Sequence, residues 1–438
     1  MADFSNKRCL IWDEGQFGDL ATTLAPHWGQ VDYYKPWKKS APTSVSGLVG
    51  HGMEGVNRVM DFFDHVDGAD LIVFTDCYQG DLQVYLEKQG HRVWGSRRAD
   101  RFEWDRELFA EMLKEVGLPV APYKIVVGIT RLREYLIEHD DQIVKFSVFR
   151  GDGETFDVPR YQLRKSKLDA MEYQYGPFAE KIRFMVQSKI LTKIECGYDG
   201  YAVDDNFLDG FVDYETKNRS CLIAARKYAD LPETVRLVNE AIAPVMKRER
   251  YRAPFGTEIR VDEEGVPFFI DWTGRNSSPP GEALWVMTKN LSEIMYHGAA
   301  GEAVPVEWAA KYACQLMLNL HWQDLAWSEV AIPNKVKPWI QLATYAKTDG
   351  LYYPIANEGY EPLPWGVEII GSAIGIADTI EEAIEKAKEH ADAVEGFKVE
   401  YDIAAVAEGI EAIKAGEKEG IEFAEEVPEP AIVLESSE

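Results

Sequence analysis

The chain has 438 residues, of which 46% are hydrophobic and 12% aromatic, and a formal charge of −27. That length and apolar content support about two to four domain cores of roughly 100–200 residues each, and the charge argues against direct nucleic-acid binding, which needs a basic surface. No apolar run approaches the roughly 20 residues that span a bilayer. The opening MADFSNKRCLIWDEG lacks a cationic stretch followed by an apolar core, and the five cysteines have no pairwise or metal-type spacing. A cytoplasmic multidomain protein with free thiols and no membrane partner is expected. The basic clusters, Arg97-Arg98 and the KRERYR run at 247–252, read as solvated helix ends or turns.

Residues 7–95 alternate short apolar runs with helical stretches: CLIW, a helix near 19–24, ADLIVFTD, a helix over 81–89 and the short strand HRVWG. This βαβ texture predicts a small open α/β domain. Its first turn, Asp13-Glu14-Gly15-Gln16-Phe17-Gly18, lacks the dinucleotide fingerprint, so a nicotinamide cofactor has little support; a plain strand-to-helix turn and a ligand contact both remain open.

A second unit begins with a helix over 105–116 whose Leu108, Phe109, Met112, Leu113 and Val116 share one face, closed by Gly117 and Pro119. An extended run at 123–128, a helix over 132–138 and a strand over 142–148 follow. Lys145 in that apolar strand is costly to bury without an anion, and Gly151 and Gly153 in the next turn allow backbone amides to approach phosphates. An edge-strand lysine facing solvent fits the same residues. The run at 183–190 is another strand, with Glu195 beyond it. Asp199, Asp204 and Asp205 read as turn residues. Lys217 either reaches a triphosphate or makes an ordinary salt bridge.

Residues 256–261 and 266–272 flank the acidic turn Asp-Glu-Glu-Gly and predict a hairpin. Strand alternation places Glu258, Arg260, Asp271 and Thr273 on one face. Two carboxylates on paired strands can hold Mg²⁺ against a nucleotide's phosphates, and Arg275 can meet a phosphoryl group. A surface hairpin with solvated charges is the plainer alternative. His51, His65 and His321 have no motif partners, and Trp322, Trp327 and Trp339 read as packing residues. Asp378-Thr379 followed by Glu382 predicts a capped helix, and the glutamate-rich end of the chain predicts a mobile acidic tail.

The order of helix with cation, lysine strand, glycine turn, apolar strand, acid and carboxylate hairpin resembles the ATP-grasp superfamily, in particular its phosphoribosylamine–glycine ligase (glycinamide ribonucleotide synthetase) branch. The resemblance covers most of the chain, including VWGS near residue 95 and GVEIIGSAIGIADTIEEAIEKAKEHADAVEGFKVEYDIA toward the other end. It implies an α/β and α+β multidomain chain: an N-terminal open α/β domain at 1–100, a grasp domain at 101–328 with its lid at about 122–190, a C-terminal α+β domain at 329–412 and a tail at 413–438. By the same resemblance, Arg106 and Lys145 meet the phosphates of ATP and the turn bearing Gly151 and Gly153 folds over them. Gln187-Ser188-Lys189-Ile190 forms the adenine hinge, and Glu195 holds the ribose hydroxyls. Glu258, Asp271 and Thr273 hold Mg²⁺, with Arg275 at the acyl phosphate.

The expected activity is ATP-dependent joining of a small carboxylate to an amine by a monomer or homodimer. Three departures bear on the substrate. GQFGD at 15–19 and NSSPPGE at 276–282 differ from the family's signatures, so both loops are expected to contact an acceptor other than phosphoribosylamine. Asp271 and Thr273 replace glutamate and asparagine at the metal motif, and a catalytically weakened nucleotide-binding or regulatory module is therefore the second reading.

Overall fold

The N-terminal run folds as a parallel sheet because its strands are apolar on both faces. In the computed structural model, which describes residues 3–37, 45–147, 155–321, 327–356 and 367–424, β1 (Phe4–Trp12), β2 (Trp28–Tyr34), β3 (Val56–Arg58), β4 (Leu71–Phe74) and β5 (Val93–Trp94) lie in the order β3-β2-β1-β4-β5. Cys9 and Ile11 pack toward Leu20 and Trp285, while Leu10 packs the other way against Phe62, Ile72 and Phe74. Chain order reverses between β1 and β4. The C-terminal ends of those strands therefore form the crevice where open α/β sheets take their ligands, and it is rimmed by Asp13, Glu14 and Asp76, all buried.

The lid is a four-stranded antiparallel sheet, with β6 (Tyr123–Val127), β7 (Gln142–Phe146), β8 (Thr155–Val158) and β9 (Arg183–Ser188) in the order β6-β9-β7-β8. Helices Ile129–Glu138 and Tyr161–Tyr175 cover one face, burying Val144, Phe146, Val158 and Phe184 against Leu132, Leu136 and Leu168. Period-two alternation then turns Ile143 and Lys145 to the opposite face. Gly151 and Gly153 lie outside the described residues.

The large sheet has nine strands. Its path runs β14 (Pro267–Thr273), β13 (Arg252–Asp262), β10 (Thr192–Val203), β11 (Asn206–Thr216), β12 (Ser220–Arg226), β15 (Tyr312–His321), β20 (Val367–Ala377) and β17 (Ile340–Leu342), with β22 (Val399–Glu400) beside β15. A further small sheet joins β16 (Val330–Ala331), β18 (Tyr345–Thr348), β19 (Leu351–Pro354) and β21 (Glu395–Gly396). One face of the large sheet packs on helices Glu233–Glu249, Ile380–Asp392 and Ala404–Lys418, and the other on helices Gly281–Met287 and Leu291–Ala299 and the N-terminal domain. The long antiparallel pairing of β15 with β20 carries this sheet through the boundary expected at 328. Thr379 caps the helix Ile380–Asp392 through the Glu382 amide, as its sequence predicts.

Four expectations change. Arg97 is no solvated helix end: its guanidinium is fully buried on Glu87 at 3.1 Å, and Arg250 and Arg252 from the second basic cluster join the same carboxylate at 3.0 and 3.3 Å. Asp199 lies within β10 rather than in a turn. The stretch expected as a mobile tail from 413 begins as the last turns of the helix Ala404–Lys418, after which Phe423 is buried against Tyr214 and Tyr312. Trp322 lies outside the described residues.

The fourth concerns the 15–19 turn. Asp13 shapes it, accepting from Tyr33 Oη at 2.7 Å, Thr75 Oγ1 at 2.9 Å and the amides of Gln16 and Phe17. Asp19, with no solvent exposure, is turned to the C-terminal segment and accepts from Lys337 Nζ at 2.7 Å, the Leu342 amide at 2.6 Å and Tyr345 Oη at 2.6 Å. A Cβ on Gly18 would stand 2.6 Å from the Ala343 carbonyl. This half of the loop is a domain joint, not a substrate contact. Removing one member of a buried ion pair strands the other charge, so Asp19→Ala is expected to destabilise the protein by about 3–5 kcal/mol, measured as a lower midpoint in urea unfolding.

Candidate active site

Hairpin register brings the metal candidates together. On β13 and β14, Glu258 lies directly opposite Asp271 and Gly256 opposite Thr273. The pairing passes next to Ile259 opposite Phe269, so Ile270 is the extra residue of a bulge. Its carbonyl, turned out of the ladder, accepts from Lys145 Nζ at 3.1 Å. The bulge thus anchors the lid lysine beside the carboxylates.

β10 extends the same face, pairing Glu195 with Arg260, Gly197 with Glu258 and Asp199 with Gly256. Arg260 Nε donates to Glu195 at 2.9 Å and its other arm lies 3.7 Å from Glu258. Gly256 keeps space open: a Cβ there would stand 2.8 Å from Asp199 Oδ1 and 3.1 Å from Ser277 Oγ. Ser277 Oγ donates to Asp199 at 2.5 Å.

The cations arrive from other elements. Asp105 caps the helix Arg106–Glu115 by accepting from the Leu108 amide, and the Arg106 amide donates to Ser147 O at 3.0 Å, fixing the helix start to the end of β7. From there the Arg106 guanidinium pairs with Asp271. Next along, Glu107 latches the lid, taking Arg183 Nε at 2.5 Å, Arg183 Nη2 at 2.7 Å and Ser147 Oγ at 2.6 Å. Arg275 Nε donates to buried Glu103 at 2.8 Å, Glu103 also accepts from the Gly274 amide at 2.8 Å, and Asp76 from the N-terminal crevice lies 3.8 Å from Arg275.

Between lid and large sheet runs a cleft lined by Arg106, Lys145, Gln187, Ile190 and Phe268 to Ile270, enclosing about 20 Å³. That is room for about one water. Ser188 and Lys189 serve differently from their neighbours: their amides are tied to the carbonyls of Pro122 and Asp141, holding the end of β9 to the start of the β6 and β7 strands. Lys217 stands exposed in the turn after β11, where it acts electrostatically on Glu215.

The electrostatics follow from like charges crowded in a cleft. Side-chain exposures of 42% for Glu258 and 40% for Asp271 leave both carboxylates partly open to solvent. Glu258 is pushed well above the usual carboxylate range by desolvation and by the carboxylates of Glu195 and Asp271. For Asp271 desolvation also acts upward, but Arg106 and Lys145 outweigh it and hold the group below its ordinary value. Lys145 is pulled down to about 8 by desolvation and by Arg106. Alongside, desolvation raises Asp213 to about 6 and Glu215 to about 7, and desolvation with Asp213 raises Asp199.

Among the described residues no set of three or more His, Cys, Asp or Glu is arranged to hold a metal ion. Two facing carboxylates that repel each other nevertheless suit Mg²⁺, which takes one or two carboxylates and completes its shell with phosphate and water. The donor chemistry fits.

No family model matches this chain, and no curated protein matches it either. Solved structures do. Phosphoribosylamine–glycine ligase of Thermotoga maritima superposes with a TM-score of 0.68 at 16% identity, covering 90% of this chain and 98% of that one. The biotin carboxylase domain of Hydrogenobacter thermophilus 2-oxoglutarate carboxylase, in a complex with MgADP, ADP and bicarbonate, gives 0.61 at 14% identity over 90% and 91%. N5-carboxyaminoimidazole ribonucleotide synthetase of Thermotoga maritima gives 0.57 at 16% over 90% and 100%. The fold is that of the ATP-grasp enzymes. Within this ATP-grasp fold, sequence reasoning missed Glu103, Glu107, Arg183 and Asp76, which carry no local signal. Asp199 was findable, since Glu195, Gly197 and Asp199 alternate along one strand face. No helix among the described residues is long and apolar enough to cross a membrane.

Arg183 hydrogen-bonded to Glu107 holds that carboxyl below its ordinary value. A depressed folded value means the latch contributes fully above the unfolded pKa of about 4.3 and is lost as pH falls through the folded one. Glu107→Gln is expected to lower stability by at most about 1 kcal/mol at pH 7, with no difference from wild type once acid has protonated Glu107, as read by urea unfolding at stepped pH.

Proposed function

We propose that this protein is an ATP-dependent carboxylate–amine ligase that forms an amide through an acyl phosphate. One observation carries the reading: Arg106 pairs with Asp271, which faces Glu258, and Lys145 is anchored on the Ile270 carbonyl beside them, with both cations lining a cleft walled by Gln187 and Ile190. In this reading Gln187 and Ile190 receive the adenine at the Ser188-Lys189 hinge, Glu195 holds the ribose, and Arg106 and Lys145 meet the phosphates. The lid takes the span of about 122–190, and its Gly151 and Gly153 turn covers them. Lys217 is assigned to the nucleotide side.

Glu258 and Asp271, with the Thr273 hydroxyl beside them, would hold Mg²⁺. When bound, that ion supplies neutralisation of charge on the phosphate oxygens. The chain's own residues do the rest by position. Lys145 and Arg275 stabilise charge on the transferring phosphoryl group, which needs no nucleophilic side chain. Glu103 aims Arg275, and lid closure keeps water from the acyl phosphate. The amine then displaces phosphate, and the carboxylates Asp199, Asp213 and Glu215 suit an amine approaching from that side. Both substrates are small molecules.

A second reading, a nucleotide-binding or regulatory module with weakened turnover, draws on the Thr273 hydroxyl in place of an amide and on the pairing of Asp271 with Arg106. The two readings separate in an assay of ADP and phosphate release from MgATP against a panel of carboxylates and amines. A ligase releases ADP only with the right pair, and Lys145→Met and Glu258→Gln each lower that rate at least about 100-fold. ATP binding without turnover across the panel favours the module. Because Lys145 is desolvated beside Arg106, Lys145→Met is also expected to leave the nucleotide-free protein as stable as wild type or more so, checked by its thermal midpoint.

A further inference from the structure

The ion pair between Arg106 and Asp271 joins residues 165 apart in sequence and places a buried guanidinium on a carboxylate assigned above to the metal. A divalent ion taking both Glu258 and Asp271 must displace whatever cation already serves them. Arg260 is engaged with Glu195 at 2.9 Å and only approaches Glu258 at 3.7 Å. Lys145 is spent on the Ile270 carbonyl. The group in the way is Arg106. Its backbone is pinned to Ser147, but its side chain also lines the cleft between lid and large sheet, where a phosphate would lie.

A guanidinium can exchange a carboxylate for a phosphate at little expense, since both accept its fork of donors. Losing Asp271 to a metal with no phosphate in exchange would take a counter-charge from a buried cation, which is unfavourable. We propose, resting on the ligase reading, that Arg106 is an internal counter-cation that keeps Asp271 from the metal in the nucleotide-free site and releases it by moving onto the nucleotide phosphates. Metal and nucleotide then bind with strong positive coupling, and the nucleotide-free protein is a poor metal binder.

The test uses Mn²⁺ as a spin probe on the full chain, with free Mn²⁺ read by electron paramagnetic resonance. Wild type is expected to bind Mn²⁺ weakly alone and at least about tenfold more tightly with ADP, within the usual range of coupling between sites. Arg106→Met, which keeps the side-chain length without the charge, is expected to bind Mn²⁺ about tenfold more tightly than wild type when no nucleotide is present. Adding Asp271→Asn to it should abolish the gain. Equal or weaker Mn²⁺ binding by Arg106→Met overturns the proposal, as does a gain that survives Asp271→Asn. Should Arg106→Met fail to fold by circular dichroism, Arg106→Lys replaces it: it cannot form the forked contact, and Mn²⁺ affinity equal to wild type is then the overturning result. A parallel titration with a fluorescent ADP analogue separates the two readings. Absence of nucleotide binding sinks the ligase, while the nucleotide-free Mn²⁺ comparison still decides the role of Arg106.

Discussion

Two carboxylates held face to face by strand register are the constraint around which this site is organised. Glu258 and Asp271 have no means of separating, because each is fixed by the β13–β14 ladder, and desolvation, ahead of the charges of Glu195 and Asp271, raises the proton affinity of Glu258. Lys145 and Arg106 bring positive charge to them, while Glu195 adds to the negative charge at Glu258. The bulge at Ile270 offers a carbonyl to Lys145, the capped helix start aims Arg106, and Glu103 sets Arg275. Those cations come from the lid, the helix Arg106–Glu115 and the loop after the hairpin. Charge balance therefore ties the lid, whose apolar core is separate, to a helix and hairpin that share theirs through Phe109 and Phe269.

The same economy of charge governs the domain joints. In a chain with a net charge of −27, acids far outnumber their partners, yet the buried ones are served several times over. Asp13 folds the first turn by accepting from two hydroxyls and two amides, and Asp19 holds the C-terminal segment to the helix it begins. Glu87 gathers Arg97, Arg250 and Arg252 where the N-terminal domain meets the large sheet. Each satisfies the rule that a buried charge must be paired and hydrogen-bonded, and each fixes a relative orientation that apolar packing alone would specify loosely.

What the sequence made legible was local and periodic. The hairpin could be read because alternation and an acidic turn are short-range signals, whereas the facing of Lys145 stayed open because an edge-strand lysine fits the same residues. The capped helix at 379 announced itself by a side chain three residues from its partner, whereas the cap at Asp105 is visible only in the structure. What stayed hidden depends on distant pairings. Nothing near Arg97 in sequence says that its guanidinium is buried, and nothing near Glu103 says that it will hold a loop at 274–275. The turn at 15–19 read as a ligand loop because GQFGD departs from the family's signature, and the partners of its Asp19, more than 300 residues away, left no trace in the local sequence. Sequence order also suggested separate grasp and C-terminal units, although hydrogen bonding runs continuously from one to the other.

That continuity has a consequence for how the chain can be divided. β15 is flanked by β12 on one side and by β20 on the other, and the pairing with β20 extends from Tyr312 to His321. A fragment ending before residue 367 would keep the hairpin and the lid but leave the full length of β15 with unpaired amides and carbonyls along an apolar strand, the kind of edge that recruits other chains. The large sheet is thus not divisible there: the segment from residue 367 onward is the seal on its otherwise open edge.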